Sequence, residues 1–193
     1  MTTVLVGLDS VDWTRLRTSD PRRDARDVPR LLRNLEAAAD PGPFAWSGEL
    51  AGLVVHDHSG CLVQSAEFVI PFLIALCAAE RAGVAPAAVS LLIDLTAEPF
   101  ITEIEAGNTD MRARTWAAIL AGRESYYALL GSAEPGARAD ALELLSILEH
   151  GSPRFQRAMA DLEKAEDHSL VLERIRDLAA HPGLDRRTPE PPD

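Results

Sequence analysis

The sequence contains only two cysteines, Cys61 and Cys77, among its 193 residues. Two thiols cannot supply the disulfide framework of a small secreted scaffold, so we expect a reduced, cytoplasmic chain. The N-terminus lacks a basic segment followed by a long apolar run, and we therefore expect no signal peptide. Long apolar runs are also missing, because residues 68–79 meet Glu80 and Arg81 well before the ~18 residues that a membrane span requires.

Positive charge is scarce as well, since Lys164 is the only lysine and the formal net charge is -11 at pH 7. Proteins that bind nucleic acid neutralise phosphates with Lys and Arg, so this balance argues against a nucleic-acid partner. The same negative charge disfavours attachment to an anionic membrane surface. A basic protein or peptide is the partner that the charge favours, and the sequence does not indicate an oligomeric state.

Alanine and leucine are plentiful, whereas Ile, Thr, Tyr and Phe are sparse. Hydrophobic residues make up 47% of the chain, which is enough for a buried core, and the abundance of Ala and Leu favours helix over sheet. The most apolar stretch, residues 64–96, has apolar side chains in steps of three and four. This spacing predicts two helices joined by a turn at residues 81–85. We therefore predict an all-α fold organised around this helix pair.

Similar periodicity on both sides of the central pair predicts eight or nine helices in all. Residues 1–181 are expected to form one domain, and the Pro- and charge-rich residues 182–193 are expected to be disordered. A long helix over residues 110–130 is predicted to kink at Gly122. The connections include a polar turn at residues 56–61 and a loop at residues 99–109.

Charged residues in the predicted connections have a simple interpretation as solvated side chains. Four arginines lie in or beside the polar segment before the first long helix, and two glutamates lie in the loop at residues 99–109 (Arg15, Arg17, Arg22, Arg23; Glu103, Glu105). Charge patterning alone predicts that these groups face water, although a small anion site at the arginines is an alternative.

An internal repeat links the two halves of residues 28–95. Apolar and proline positions recur with one offset of 42 residues, in three pairs: Pro29 and Pro71, Leu50 and Leu92, Leu53 and Leu95. Two helices in a unit of about 40 to 47 residues are typical of HEAT and armadillo repeats. The predicted architecture is therefore a HEAT-like α-solenoid of stacked helical hairpins.

Short motifs in residues 8–98 strengthen this interpretation. The sequence contains D-W-T-R-L at residues 12–16, D-V-P-R-L-L at residues 27–32, and H-x-x-S-G at residues 56–60 followed by V-I-P-F-L at residues 69–73. Together these motifs resemble small HEAT-repeat proteins of high-GC, actinobacterial-type bacteria. The resemblance implies a bacterial interaction scaffold rather than an enzyme.

The second helices of HEAT hairpins usually line the concave face of the solenoid. Trp46 and Glu49 on one such helix, with Asp94 and Glu98 at the end of the next, would form an acidic groove with an aromatic anchor. Tyr126 is a further aromatic candidate. Trp46 and Tyr126 could instead fill the core, and Asp94 and Glu98 could be solvated charges or a carboxylate pair four residues apart on one helix.

The turn at residues 56–61 holds His56, His58 and Cys61, three side chains that can bind a metal. No second Cys/His pair follows at a matching spacing, so we predict no metal site and no cofactor. A polar turn is the simplest interpretation, and a partner-contacting loop that uses His56 and His58 is the alternative. A Cys61–His58 nucleophile would lack a third group to orient its base.

The predicted function is non-enzymatic binding of a protein or peptide, and the predicted partner is basic. A HEAT-like enzyme, or a binder of small molecules in a bacterial biosynthetic pathway, is the alternative. Activity of the DNA glycosylase type is the least favoured, because it requires a basic track.

Overall fold

The computed structural model describes residues 3–20, 22–38, 42–56, 58–79 and 82–180. Those residues contain ten α-helices and two strands of two residues each, so the predicted all-α character is confirmed. The predicted disordered tail at residues 182–193 lies outside the described residues. The chain divides into two compact units, Met1–Gly122 and Arg123–Asp193, and each is described separately below.

Unit 1 contains six α-helices and a short β-hairpin. The helices are α1 (Val28–Ala37), α2 (Gly42–Val54), α3 (Ser65–Cys77), α4 (Val84–Asp94), α5 (Ile101–Glu105) and α6 (Met111–Ala121); the strands are β1 (Val55–His56) and β2 (Cys61–Leu62). Unit 2 contains four helices: α7 (Arg123–Leu129), α8 (Pro135–Glu149), α9 (Pro153–Ala165) and α10 (Ser169–Ala180).

The core of unit 1 is formed by two helical hairpins. Helix α1 packs against α2, α3 packs against α4, and α2 lies beside α4, where the Ser47 hydroxyl donates to the Ala87 carbonyl at 3.1 Å. The leucines that share the 42-residue offset are all fully buried (Leu50, Leu53, Leu92, Leu95). The leucine stripes therefore face the core, as the periodicity predicts.

The two repeated prolines occupy different positions in their helices. Pro29 lies in the first turn of α1, where its missing N–H costs nothing. Pro71 lies inside α3, which begins at Ser65, and so removes one intrahelical hydrogen bond. The sequence offset of these prolines is thus not matched by equivalent helix positions.

Helix α4 is covered on nearly every side. Within Val84–Asp94, only Asp94 is exposed, and the intermediate positions are Ser90 and Ile93. The small residues of its first half (Ala85, Ala87 and Ala88) let neighbouring elements approach closely. Little of α4 is therefore available to a partner.

Two connections and one long helix differ from their predictions. The polar turn at residues 56–61 lies within a β-hairpin, in which His56 pairs with Cys61 and Val55 with Leu62. The predicted loop at residues 99–109 includes the short helix α5, and the predicted long helix is divided at Gly122 into α6 and α7. Glycine has low helix propensity, which fits the break.

In unit 2, α8 packs against α7, α9 and α10. Its leucine stripe is buried, including Leu142 and Leu145, together with Phe155 from α9 and Ile175 from α10. Ser152 is the N-cap of α9, and its hydroxyl accepts a hydrogen bond from the Phe155 amide at 3.1 Å.

Candidate functional site

Helix α5 buries a charged side chain and exposes two apolar ones, which is the opposite of the usual pattern for a surface helix. Its Glu103 side chain is buried at 1% relative exposure, whereas Ile101 and Ile104 are 62% and 47% exposed. A surface helix normally turns its apolar residues inward and its charges outward. The reversal leaves two large aliphatic side chains in water, and it needs specific contacts to hold Glu103 inside.

Hydrogen bonds to the carboxylate keep the Glu103 side chain buried. Arg17 donates from Nε to Oε1 at 3.0 Å and from Nη2 to Oε2 at 2.6 Å, a bidentate pair. Asn108 donates from Nδ2 to Oε2 at 2.6 Å. Burial acts to raise the pKa of Glu103, but the hydrogen bonds from Arg17 and Asn108 outweigh it, and the pKa is lowered.

Arg17 also fixes its own backbone against the start of α3. Its amide donates to Gln64 Oε1 at 3.2 Å, and its carbonyl accepts from the Ser65 amide at 3.1 Å. The ion pair between the half-exposed Arg17 and the buried Glu103 therefore connects α5 to the N-terminal segment and to α3. This result corrects the expectation that Glu103 is a solvated loop residue, and it shows that the half-exposed Arg17 is held by an ion pair.

The C-terminal end of α5 is closed by a Schellman motif. Gly107 has φ +89°, its amide donates to the Ile104 carbonyl at 3.0 Å, and the Asn108 amide donates to the Glu103 carbonyl at 2.9 Å. A residue with a Cβ is strained at this positive φ. Asn108 thus closes the helix with its backbone and binds Glu103 with its side chain.

The N-terminal end of α5 is held by the β-hairpin. The Phe100 amide donates to the Leu62 carbonyl at 2.7 Å, and the Leu62 amide donates to the Glu98 carbonyl at 2.8 Å. The Phe100 ring stacks on the His56 imidazole, with ring centroids 4.2 Å apart. Helix α5 is therefore fixed at its start, its middle and its end.

We call the surface formed by Ile101, Ile104 and the half-buried Phe100 the α5 patch. Ile101 and Ile104 are three residues apart, so their side chains are neighbours on one helix face. An exposed apolar cluster beside polar groups is typical of a protein-binding surface. The α5 patch offers apolar contact to a partner without a large rearrangement of its backbone.

The predicted site residues are spread over both units. Trp46 is half-buried on α2, and Asp94 is exposed at the end of α4. Tyr126 lies in unit 2 with its side chain fully buried, which leaves no surface of its ring for a partner. The alternative interpretation of Tyr126 as a core residue fits this placement.

The predicted acidic groove is partly neutralised by arginines. Glu49 forms an ion pair with Arg23 at 3.2 Å, and Glu98 forms one with Arg112 at 2.6 Å. Because Asp94 is the only acidic residue of α4, the structure does not present a continuous row of acidic side chains along α2 and α4. Glu98 is instead adjacent to the α5 patch, through its backbone bond to β2.

The histidines of the hairpin are close together. The rings of His56 and His58 are 5.9 Å apart, and the Ser59 hydroxyl lies 3.1 Å from His56 Nδ1. The Cys61 thiol contacts the Ser59 carbonyl at 3.6 Å. Asp57 lies outside the described residues, and within them no group of three or more His, Cys, Asp or Glu side chains is placed to hold a metal ion.

Sequence reasoning missed the residues that form and hold the α5 patch. Their signal was present but short: isoleucines three residues apart flank a glutamate, and Gly107 followed by Asn108 is a common helix ending. A five-residue helix gives too few turns for periodicity to reveal. The partner of Glu103 is also 86 residues away in sequence, beyond any local pattern.

Two further findings concern membrane-spanning helices and similarity to known proteins. Among the described residues, no helix has both the length and the apolar character needed to cross a bilayer. Comparisons with protein-family models, with curated proteins and with solved structures find no match.

Proposed function

We propose that the chain is a non-enzymatic protein- or peptide-binding protein with a HEAT-like architecture. The architecture is supported by the two hairpins of unit 1, in which α1 and α2 pair, α3 and α4 pair, and α2 lies beside α4. The buried leucines at a common 42-residue offset fit a repeated hairpin. The bacterial origin implied by the motif resemblance belongs to the same proposal.

The observation that carries the binding proposal is the exposure of Ile101 and Ile104 on a helix that buries Glu103. Full burial of an isoleucine side chain is worth roughly 1.5–3 kcal/mol, and this helix forgoes much of that gain. The lost stabilisation is recovered when a partner covers the α5 patch. Binding at the α5 patch would therefore offset the free-energy cost of exposing the two isoleucines.

This surface differs from the acidic concave face that the sequence predicts. His56 and Glu98 from the predicted set lie next to the α5 patch, by ring stacking and by backbone pairing. Trp46, Glu49 and Asp94 belong to α2 and α4 rather than to α5. The proposed binding surface is accordingly centred on α5.

A cytoplasmic location is part of the proposal. Burial raises the pKa of the Cys77 thiol to about 12, so that thiol stays protonated and unreactive. Cys61 and Cys77 are both free thiols, which suits a reducing compartment.

The proposal predicts that the protein selects peptides from a random library and that selection depends on the α5 patch. The wild-type chain should enrich a family of related sequences, and the Ile101→Ser/Ile104→Ser variant should lose that enrichment. Deep sequencing of the selected library measures both results.

Val6→Ser provides a matched control, because Val6 is a more exposed aliphatic residue outside α5, at 83% exposure. This variant should keep the wild-type peptide family. A library from which the wild-type protein enriches nothing, or enriches the same family without Ile101 and Ile104, would contradict the proposed function.

A further inference from the structure

The α5 patch lies in a stretch of the chain that is almost devoid of positive charge. Arg81 is the only Lys or Arg between Arg33 and Arg112. Glu105 is exposed on α5 itself, and the exposed Glu98 and Asp110 lie just before and just after this helix and its closing turn. The apolar patch is therefore accompanied by carboxylates on both sides in sequence.

From this arrangement, and resting on the proposed function, we infer that the partner of the α5 patch is a basic amphipathic segment. Its apolar side chains cover Ile101 and Ile104, and its Lys or Arg side chains face Glu98, Glu105 and Asp110. A helix with apolar residues three or four apart matches the spacing of the two isoleucines.

The three carboxylates differ in whether they already form ion pairs within the chain, and therefore in how readily a Lys or Arg of the partner can pair with them. Glu105 forms no ion pair within the described part of the chain. Glu98 pairs with Arg112, and Asp110 pairs with Arg114, but both carboxylates are largely exposed. Exposed ion pairs contribute little net stability, so an incoming Lys or Arg can share or displace them.

Glu103 is not among the groups that meet the partner. Arg17 and Asn108 occupy its carboxylate, and its side chain is buried. Its role is to position α5 so that the isoleucines point outward. Partner selection by charge is therefore assigned to the three exposed carboxylates.

The negative charge of the chain also favours a basic partner at the α5 patch over a second copy of the chain or an anionic membrane. A second copy would bring another net charge of -11 towards the patch, and an anionic membrane would repel it in the same way. A basic segment gains from the field that disfavours those alternatives. Opposite charge also speeds association, which suits a small surface that binds transiently.

Two designed peptides of about 18 residues, with leucines at identical helical positions, test the inference. One carries Lys at every polar position, and the other carries Glu. In fluorescence anisotropy with the full chain, the Leu–Lys peptide should bind at least about tenfold more tightly than the Leu–Glu peptide. Its affinity should fall as salt is raised, because the carboxylates are exposed and screened.

Variants separate the apolar and charged contributions. Ile101→Ser/Ile104→Ser should weaken Leu–Lys binding by about tenfold or more, since two apolar contacts are lost. Glu105→Gln should weaken it by about twofold to fivefold and should flatten the salt dependence. Val6→Ser should leave the affinity unchanged.

Equal affinity for the two peptides would overturn the inference about charge, whereas the proposed function would still be judged by the library selection. A Leu–Lys affinity that is unaffected by Ile101→Ser/Ile104→Ser would overturn the α5 patch as the site. Light scattering provides a further check: a wild-type dimer that becomes monomeric in the Ile101→Ser/Ile104→Ser variant would identify a second copy as the occupant and overturn the inference of a basic partner.

Discussion

Replacing Glu103 with Gln is expected to lower the free energy of unfolding of unit 1 by about 2–4 kcal/mol. The amide keeps the size of the side chain but removes its charge and places an NH₂ group where an oxygen accepts. Arg17 and Asn108 both donate to the Glu103 carboxylate, so one donor then faces another donor. The half-exposed Arg17 can be hydrated, which limits the loss.

All three tryptophans lie in unit 1, so their fluorescence during urea denaturation measures this effect without a contribution from unit 2. Glu105→Gln is the control on the same helix, and its exposed side chain predicts a change within about 0.5 kcal/mol. Equal effects of the two substitutions would show that Glu103 is not held as the structure indicates.

The pKa of Glu103 gives this stabilisation a definite pH dependence. Because the folded-state pKa is lowered, the carboxylate stabilises unit 1 at pH values above the unfolded pKa of about 4.3. The contribution is lost as the pH falls through the folded pKa. The difference in stability between wild type and Glu103→Gln should therefore be full near pH 7 and should shrink progressively below about pH 5.

In unit 2, we expect Glu166→Gln to lower the free energy of unfolding by about 2–4 kcal/mol at pH 7. Arg138 donates to both carboxylate oxygens of Glu166, at 2.7 and 2.8 Å, and both side chains are largely buried. The Asp167 and His168 amides donate to the same carboxylate. This contact joins α8 to the connection between α9 and α10.

The ion pair with Arg138 is the main cause that lowers the pKa of Glu166 to about 2. Its contribution to stability is therefore present above about pH 4.3 and is lost as the pH falls towards 2. Thermal unfolding followed by circular dichroism from pH 7 to pH 2 measures the loss. The exposed Glu163→Gln is the control, and a Glu166→Gln variant that matches it at every pH would contradict the contact.

Local periodicity was sufficient to predict the helices that build the cores. Leu50 and Leu53 lie at repeated apolar positions of the predicted helices, and both are buried. These predictions succeed because a helix stripe depends on residues only three or four positions apart. The same reasoning predicts one long helix over residues 110–130 with a kink at Gly122, and at that glycine the structure has a break between α6 and α7.

The candidate site was predicted less completely, because it depends on contacts between distant residues. Arg17 and Glu103 lie 86 positions apart, and neither alone differs from an ordinary surface charge in the sequence. The ion pairs of Glu49 with Arg23 and of Glu98 with Arg112 likewise alter the predicted acidic groove. Charge counting gives the balance of a chain, but it cannot assign the partner of each carboxylate.

The measurement that tests the reversed orientation of α5 most directly is hydroxyl-radical footprinting, read by mass spectrometry. Ile101 and Ile104 should be modified readily in the free protein, whereas the fully buried Ile119 should be protected. Addition of the Leu–Lys peptide should then protect Ile101 and Ile104 selectively. Protection of both isoleucines to the level of Ile119 in the free protein would contradict an outward-facing α5 patch and the binding role built on it.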